Sequence, residues 1–234
     1  MSLLVLKDLG KSFGGVRAVE RLSFSLAAGE MLAMIGPNGA GKSTCFNLIN
    51  GQLQPDAGEI LFDGQPIHGL LPRKLCRLGL GRTFQVAATF GSMSVRENLQ
   101  VVERTPGDGR DALSAAGIEG LADRQCAELA YGDLKRVEFA MALAGRPRLL
   151  LMDEPTAGMA QEERHALMAL VSRISREKGL SVLFTEHDMD VVFAHADRVV
   201  VLAEGALIAQ GAPAEVRADA RVRRVYLGEE DARA

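Results

Sequence analysis

Eight residues, Gly36-Pro37-Asn38-Gly39-Ala40-Gly41-Lys42-Ser43, set glycine, lysine and hydroxyl at the spacing that cradles a polyphosphate. Glycines let the backbone wrap a phosphate and aim several N–H groups inward. Lys42 reaches the β- and γ-phosphates, and the Ser43 hydroxyl is a ligand for Mg2+. The stretch follows an apolar run and opens a helical one, so a helix N-terminus adds positive potential. A second candidate is Leu149-Leu150-Leu151-Met152-Asp153-Glu154, an apolar strand that delivers two acids at its C-terminal end. Open α/β sheets bind ligands there. Asp153 would hold Mg2+, directly or through water, and Glu154 would position or deprotonate an attacking water. A third is Leu129-Ala130-Tyr131-Gly132-Asp133, a glycine-containing turn before a helical pattern. Alone, such a turn is too common to assign.

The elements that must hold these residues follow from periodicity. Leu22, Phe24 and Leu26 alternate with polar neighbours, and Ile60 and Phe62 continue the strand theme. Met31–Ile35 is a buried strand, and Lys42–Asn50 a helix closed by Gly51. After about Gln85 the strand patterns thin out. Ser94-Val95-Arg96-Glu97 has capping-box spacing, Pro106–Arg110 is expected to be an exposed turn, and Leu134–Ala144 repeats at helical spacing. The α/β pattern then resumes: strand Leu149–Met152, a helix through Leu167–Ile174 stopping at Gly179, strand Ser181–Thr185, a helix near Asp190–Ala194, and strands Val199–Leu202 and Ala206–Ile208. The expected fold is α/β, with a mostly parallel sheet covered on both faces. Residues 1–85 and 146–234 form the core with a β subdomain, and 86–145 an inserted helical subdomain.

Composition narrows the class. The chain of 234 residues has room for one sizeable core, or a core plus a smaller satellite. Its net charge of −3 gives no electrostatic footprint for a nucleic acid. Cys45, Cys76 and Cys126 are too few and scattered for a disulfide framework or zinc site, and fit reduced thiols. The N-terminus lacks signal-peptide character, and no apolar run reaches the roughly 18 residues of a membrane span. The chain is expected to be soluble alone, and any membrane work to need another chain for the spanning.

Taken in order, the phosphate loop, the Gly132 turn and the paired acids resemble the ATP-binding-cassette (ABC) ATPases, over essentially the whole chain. The resemblance implies a P-loop NTPase core and hydrolysis of ATP with Mg2+. It implies that Phe13 stacks on adenine and that Ala18 and Thr44 join Gly36–Ser43 in the nucleotide site. Gln85, in Arg82-Thr83-Phe84-Gln85, would link core to helical subdomain and sense Mg2+ and water. His187, in Thr185-Glu186-His187-Asp188, would contact the γ-phosphate. His68, His165 and His195 match no motif and read as structural.

Phe13-Gly14-Gly15, the Gln85 motif, the Gly132 turn and Tyr226-Leu227-Gly228-Glu229 are similar to one branch, the ATPases of bacterial branched-chain amino-acid uptake. Urea, amide and aromatic-acid importers are near relatives. In the family two such chains close head to tail on ATP, so Ala130, Tyr131, Gly132 and Asp133 of one would complete the site of the other. The implied partners are a second ATPase chain, identical or a sister, membrane permease subunits, and a periplasmic binding protein indirectly. The implied location is the cytoplasmic face of the inner membrane. The permease would dock in a groove near Gln85, which Val86–Met93 is expected to line.

Three positions depart from the family pattern. Ala130 stands where serine is usual, Asp133 where glutamine is, and Ala160 where a carboxylate or amide helps the two sites communicate. The helical subdomain also reads as short for this branch. Two alternatives stay open: an ABC ATPase of the iron–sulfur-assembly type, and a P-loop kinase, which would leave the Gly132 turn and His187 without a task.

Overall fold

The computed structural model describes residues 2–83 and 89–227. Strands β1 (Ser2–Phe13) and β2 (Val16–Ala27) form an antiparallel pair, extended by β4 (Ala57–Phe62) and β5 (Gln65–Pro66) into a sheet of order β2-β1-β4-β5. A second sheet holds β3 (Met31–Ile35), β6 (Leu80–Thr83), β7 (Leu149–Asp153), β8 (Ser181–Thr185), β9 (Arg198–Ala203) and β10 (Ala206–Gly211), in the order β10-β9-β3-β8-β7-β6. β9, β3, β8, β7 and β6 pair in parallel, and β10 closes the edge antiparallel to β9.

The apolar runs of this sheet are continuous because both faces are covered. Leu32, Met34, Leu149, Leu151, Leu183 and Val200 face the antiparallel sheet and helix α1 (Lys42–Ile49). Their neighbours Ala33, Ile35, Leu150, Met152, Val182 and Phe184 join a cluster on the other face. That cluster takes in α3 (Val95–Val102), α4 (Asp108–Ala116), α5 (Tyr131–Ala144), α6 (Gln161–Lys178) and α7 (Met189–His195). Helix α2 (Pro72–Leu78) precedes the edge strand β6, and α8 (Pro213–Ala218) and α9 (Ala220–Leu227) are the last elements among the described residues.

β3 and β8 keep the bounds read from sequence, and the capping box at Ser94 forms: Glu97 N–H donates to Ser94 Oγ (3.2 Å) and Ser94 N–H to Glu97 Oε2 (2.7 Å). Pro106–Arg110 departs from expectation. Only its first two residues make an exposed turn, and α4 begins at Asp108, whose side chain is buried. Asp108 Oδ1 pairs with Arg146 Nη2 (2.5 Å), and Oδ2 accepts the Thr105 N–H (2.9 Å). An acid in the first turn suits the helix dipole, so a segment of turn composition starts a helix instead.

Candidate functional site

Sheet order decides what meets at the site. β3, β8 and β7 are neighbours and run parallel, so the loops after them emerge side by side at one edge. The loop after β3 is Gly36–Gly41. Gly41 has φ 100°, and a side chain there would collide with the Ala18 carbonyl of β2. A side chain on Gly36 would collide with the Leu202 carbonyl and with Ala40. The loop is thus packed against β2 and the β9–β10 turn, where Gly205 N–H donates to the Ala40 carbonyl (3.1 Å). Pro37, Asn38 and Gly39 form its exposed rim, Ser43 is exposed at the first turn of α1, and Thr44 is half-buried.

Lys42 is only 7% exposed and donates to the Gly36 (2.5 Å) and Pro37 (3.1 Å) carbonyls. Burial pushes its ammonium below the usual lysine range, while Glu154 and Asp153 pull it back up. Asp153 Oδ1 accepts the Thr185 hydroxyl (2.8 Å), and Oδ2 lies 3.4 Å from Arg82 Nη2. Glu154 adopts φ 48°, uncommon for a residue with a side chain. Its N–H donates to Thr185 Oγ1 (3.0 Å), and its Oε1 is 2.7 Å from His187 Nε2. Lys42, Asp153, Glu154 and His187, named separately from sequence, therefore form one constellation. Phe13, at the end of β1, is 48% exposed, with Lys11 Nζ 5.6 Å from its ring centre.

Several supports were not legible in the motifs. Thr185 ties both acids to β8. Glu186 is buried and accepts the Thr156 N–H (2.9 Å) and hydroxyl (2.7 Å), clasping the turn after the acids to the loop that carries His187. Burial raises the Glu186 carboxyl above its ordinary value; hydrogen bonds from Thr156 and His187 oppose that, and Glu154 adds to it. Thr185 and Glu186 do adjoin His187 in sequence, and Arg82 adjoins Gln85, which is the signal that could have found them.

The third motif meets different neighbours. Ala130 precedes the first turn of α5, with Tyr131 exposed and Gly132 and Asp133 half-exposed. Tyr131 Oη donates to the Ala157 carbonyl (3.1 Å), and Gly158 sits against its ring. The Glu163 carboxylate lies over Gly132, where a side chain would come within 3.0 Å of it. Gln85 lies outside the described residues, as do 86–88.

A cavity of about 330 Å³ opens between the core and the helices that follow it. Gln52, Leu75, Arg82, Val102, Glu138 and Met141 are among its lining. Of Val86–Met93, residues 89–93 are described and do not line this cavity; Phe90 stands 52% exposed outside it. Among the described residues no helix is long and apolar enough to cross a membrane.

The family described as ABC transporter matches residues 19–157, and the branched-chain amino acid ATP-binding cassette transporter segment matches 206–232. The high-affinity branched-chain amino acid transport ATP-binding proteins BraF of Pseudomonas aeruginosa and LivG of Escherichia coli are each 36% identical, over 97% of this chain and 98% of theirs. The lipopolysaccharide export system ATP-binding protein LptB of Escherichia coli is also 36% identical, over 98% of this chain and 99% of its own. An ATP-binding cassette of an ABC transporter solved in its ADP conformation superposes with a TM-score of 0.91 at 32% identity, covering 98% of this chain and all of that one.

Proposed function

The chain belongs to the ABC transporter ATP-binding family, and from that premise we propose that it is the ATP-hydrolysing subunit of an importer for branched-chain or other hydrophobic amino acids. The 2.7 Å contact between Glu154 and His187 beside the phosphate loop carries the hydrolytic half of this reading. The match at 206–232 carries the substrate half, because overall identity does not separate an importer's ATPase from LptB.

The residues fit ATP with Mg2+. The loop is closed to side chains at Gly36 and Gly41, and a buried lysine stands at its base beside two acids. Gly36–Thr44 would hold the phosphates, with Phe13 against adenine and Ala18 packed under the loop. Ser43, Asp153 and Gln85 would hold Mg2+, which when bound neutralises phosphate charge. Glu154 would take the proton of the attacking water, and His187, held by Glu154, would contact the γ-phosphate. The exposed turn Ala130–Asp133 of a second ATPase chain completes the site. A related cassette with ADP and phosphate is dimeric at 25% identity.

On this reading residues 86–145 move as a helical subdomain against a core of 1–85 and 146–234. Permease subunits dock over the cavity between them, on the cytoplasmic face of the membrane, and a binding protein acts from the far side. The test is Glu154→Gln. It should bind ATP as before, nearly abolish phosphate release and accumulate a closed dimer; turnover at the unaltered rate would refute the assignment. Uptake of labelled leucine by vesicles carrying the chain with its neighbouring permease tests the substrate, and uptake of urea or an aromatic acid instead would redirect it.

A further inference from the structure

Arg82 belongs to a motif whose glutamine has a role in the reading above, but the arginine itself has none. It comes from β6 and reaches acceptors on two sides. Nη1 donates to Asn47 Oδ1 of α1 (2.7 Å) and to Gln52 Oε1 beyond that helix (3.1 Å); Nη2 reaches Asp153 Oδ2 at 3.4 Å. Both members of the Arg82–Asp153 pair are mostly buried, so the attraction is weakly screened. The two shorter bonds lie on the α1 side and the long one on the acid. Arg82 and Gln52 also line the cavity between core and helices.

We propose that Arg82 is a displaceable counter-cation: it shares Asp153 with Mg2+ and withdraws onto Asn47 and Gln52 when the metal takes that carboxylate. The inference rests on the reading of Asp153 as a metal ligand. Two cations cannot both sit against one carboxylate oxygen without repelling each other, and the guanidinium already has an alternative pair of acceptors in place. Arg82 is thus a positioning residue, acting through Asp153.

The test is binding of AMP-PNP to the whole chain by calorimetry, in EDTA and across a Mg2+ titration. Arg82→Gln should leave the EDTA affinity within about two-fold, and lower the Mg2+ concentration at half of the metal-dependent gain by about ten-fold, the scale of one charged hydrogen bond. Asn47→Ala, which removes the main alternative acceptor, should move that midpoint the other way. Opposite shifts from neighbouring positions are not what a general loss of structure produces, and Asn47→Ala keeps the test decisive if Arg82→Gln folds poorly. Midpoints unchanged in both variants, or shifted the same way, overturn the proposal. Asp153→Asn separates the two layers. If it abolishes the metal-dependent gain while the Arg82 and Asn47 variants do nothing, only this inference falls; if the gain survives, the reading of Asp153 falls and takes the inference with it.

Discussion

Replacing Thr185 by valine isolates what the β8 side chain contributes. Thr185 is fully buried, and valine matches its shape, so no cavity opens. Two hydrogen bonds disappear: the hydroxyl to Asp153 Oδ1 (2.8 Å) and the Glu154 N–H to the hydroxyl (3.0 Å). A bond to a charged acceptor contributes about 2 kcal/mol, and leaving a part-buried N–H unsatisfied costs about 1 kcal/mol. The expected loss is therefore about 3 kcal/mol. With 234 residues and roughly 2 cal/mol/K of unfolding entropy per residue, that lowers Tm by about 6 °C. Glu154 also loses the bond that helps hold its left-handed backbone, so its carboxylate no longer meets His187 at the same angle. Turnover should fall by about ten-fold or more, the scale of losing general-base alignment, while nucleotide affinity in EDTA stays within about two-fold. Thermal melts, phosphate release and binding measured on one preparation check all three. A Tm within about 1 °C of the unaltered chain, together with unchanged turnover, would refute the claim that Thr185 holds the two acids.

Glu186→Gln should behave differently at low and high pH. Burial raises the folded value above the 4.5 of the unfolded chain, so the group favours folding at low pH and opposes it as pH rises through the folded value. Glutamine keeps an acceptor for Thr156, so the variant should match the unaltered chain in urea melts near pH 4 and exceed it near pH 8; a difference independent of pH would count against it. Gly41→Ala forces a side chain at φ 100° into the Ala18 carbonyl and should abolish nucleotide binding, measured by calorimetry. Arg146→Ala strands the buried Asp108 and should cost about 2 kcal/mol in urea melts, below the range for fully buried pairs because Arg146 is mostly exposed. Arg146→Gly should cost less than Arg146→Ala, since glycine relieves the φ of 46° at that position.

What could be read from the chain in advance was what local pattern determines. β3 and β8 are buried on both faces, so each reads as an unbroken apolar run with polar or glycine ends. β6 is the edge strand of the same sheet and has only four residues, and Gly81 and Arg82 interrupt its apolar character; its identity comes from pairing with β7. β1 is long, yet its register shifts against β2 at several points and Asp8 takes φ 46°, so alternation breaks down along it. The site divides in the same way. Lys42, Asp153, Glu154 and His187 announce themselves by motif. Thr185 over Asp153 and Arg82 across to Asn47 depend on which strands are neighbours, and that is a property of the sheet order rather than of any segment.

The departure at Ala160 takes on a different meaning in the structure. Ala160 lacks the side chain that would usually link the two sites, but the segment around it is tied to the Gly132 turn by other groups. Tyr131 donates to the Ala157 carbonyl and packs on Gly158, while Glu163 accepts the Ala160 N–H (3.2 Å) and lays its carboxylate over Gly132. The Gly132 turn and the segment that follows Asp153 and Glu154 are therefore joined by direct contacts. Glu186 holds the start of that segment through Thr156, and His187 is its neighbour in the chain. A connected run of contacts thus leads from the Gly132 turn to Glu154 and His187 within a single chain, without a polar side chain at position 160.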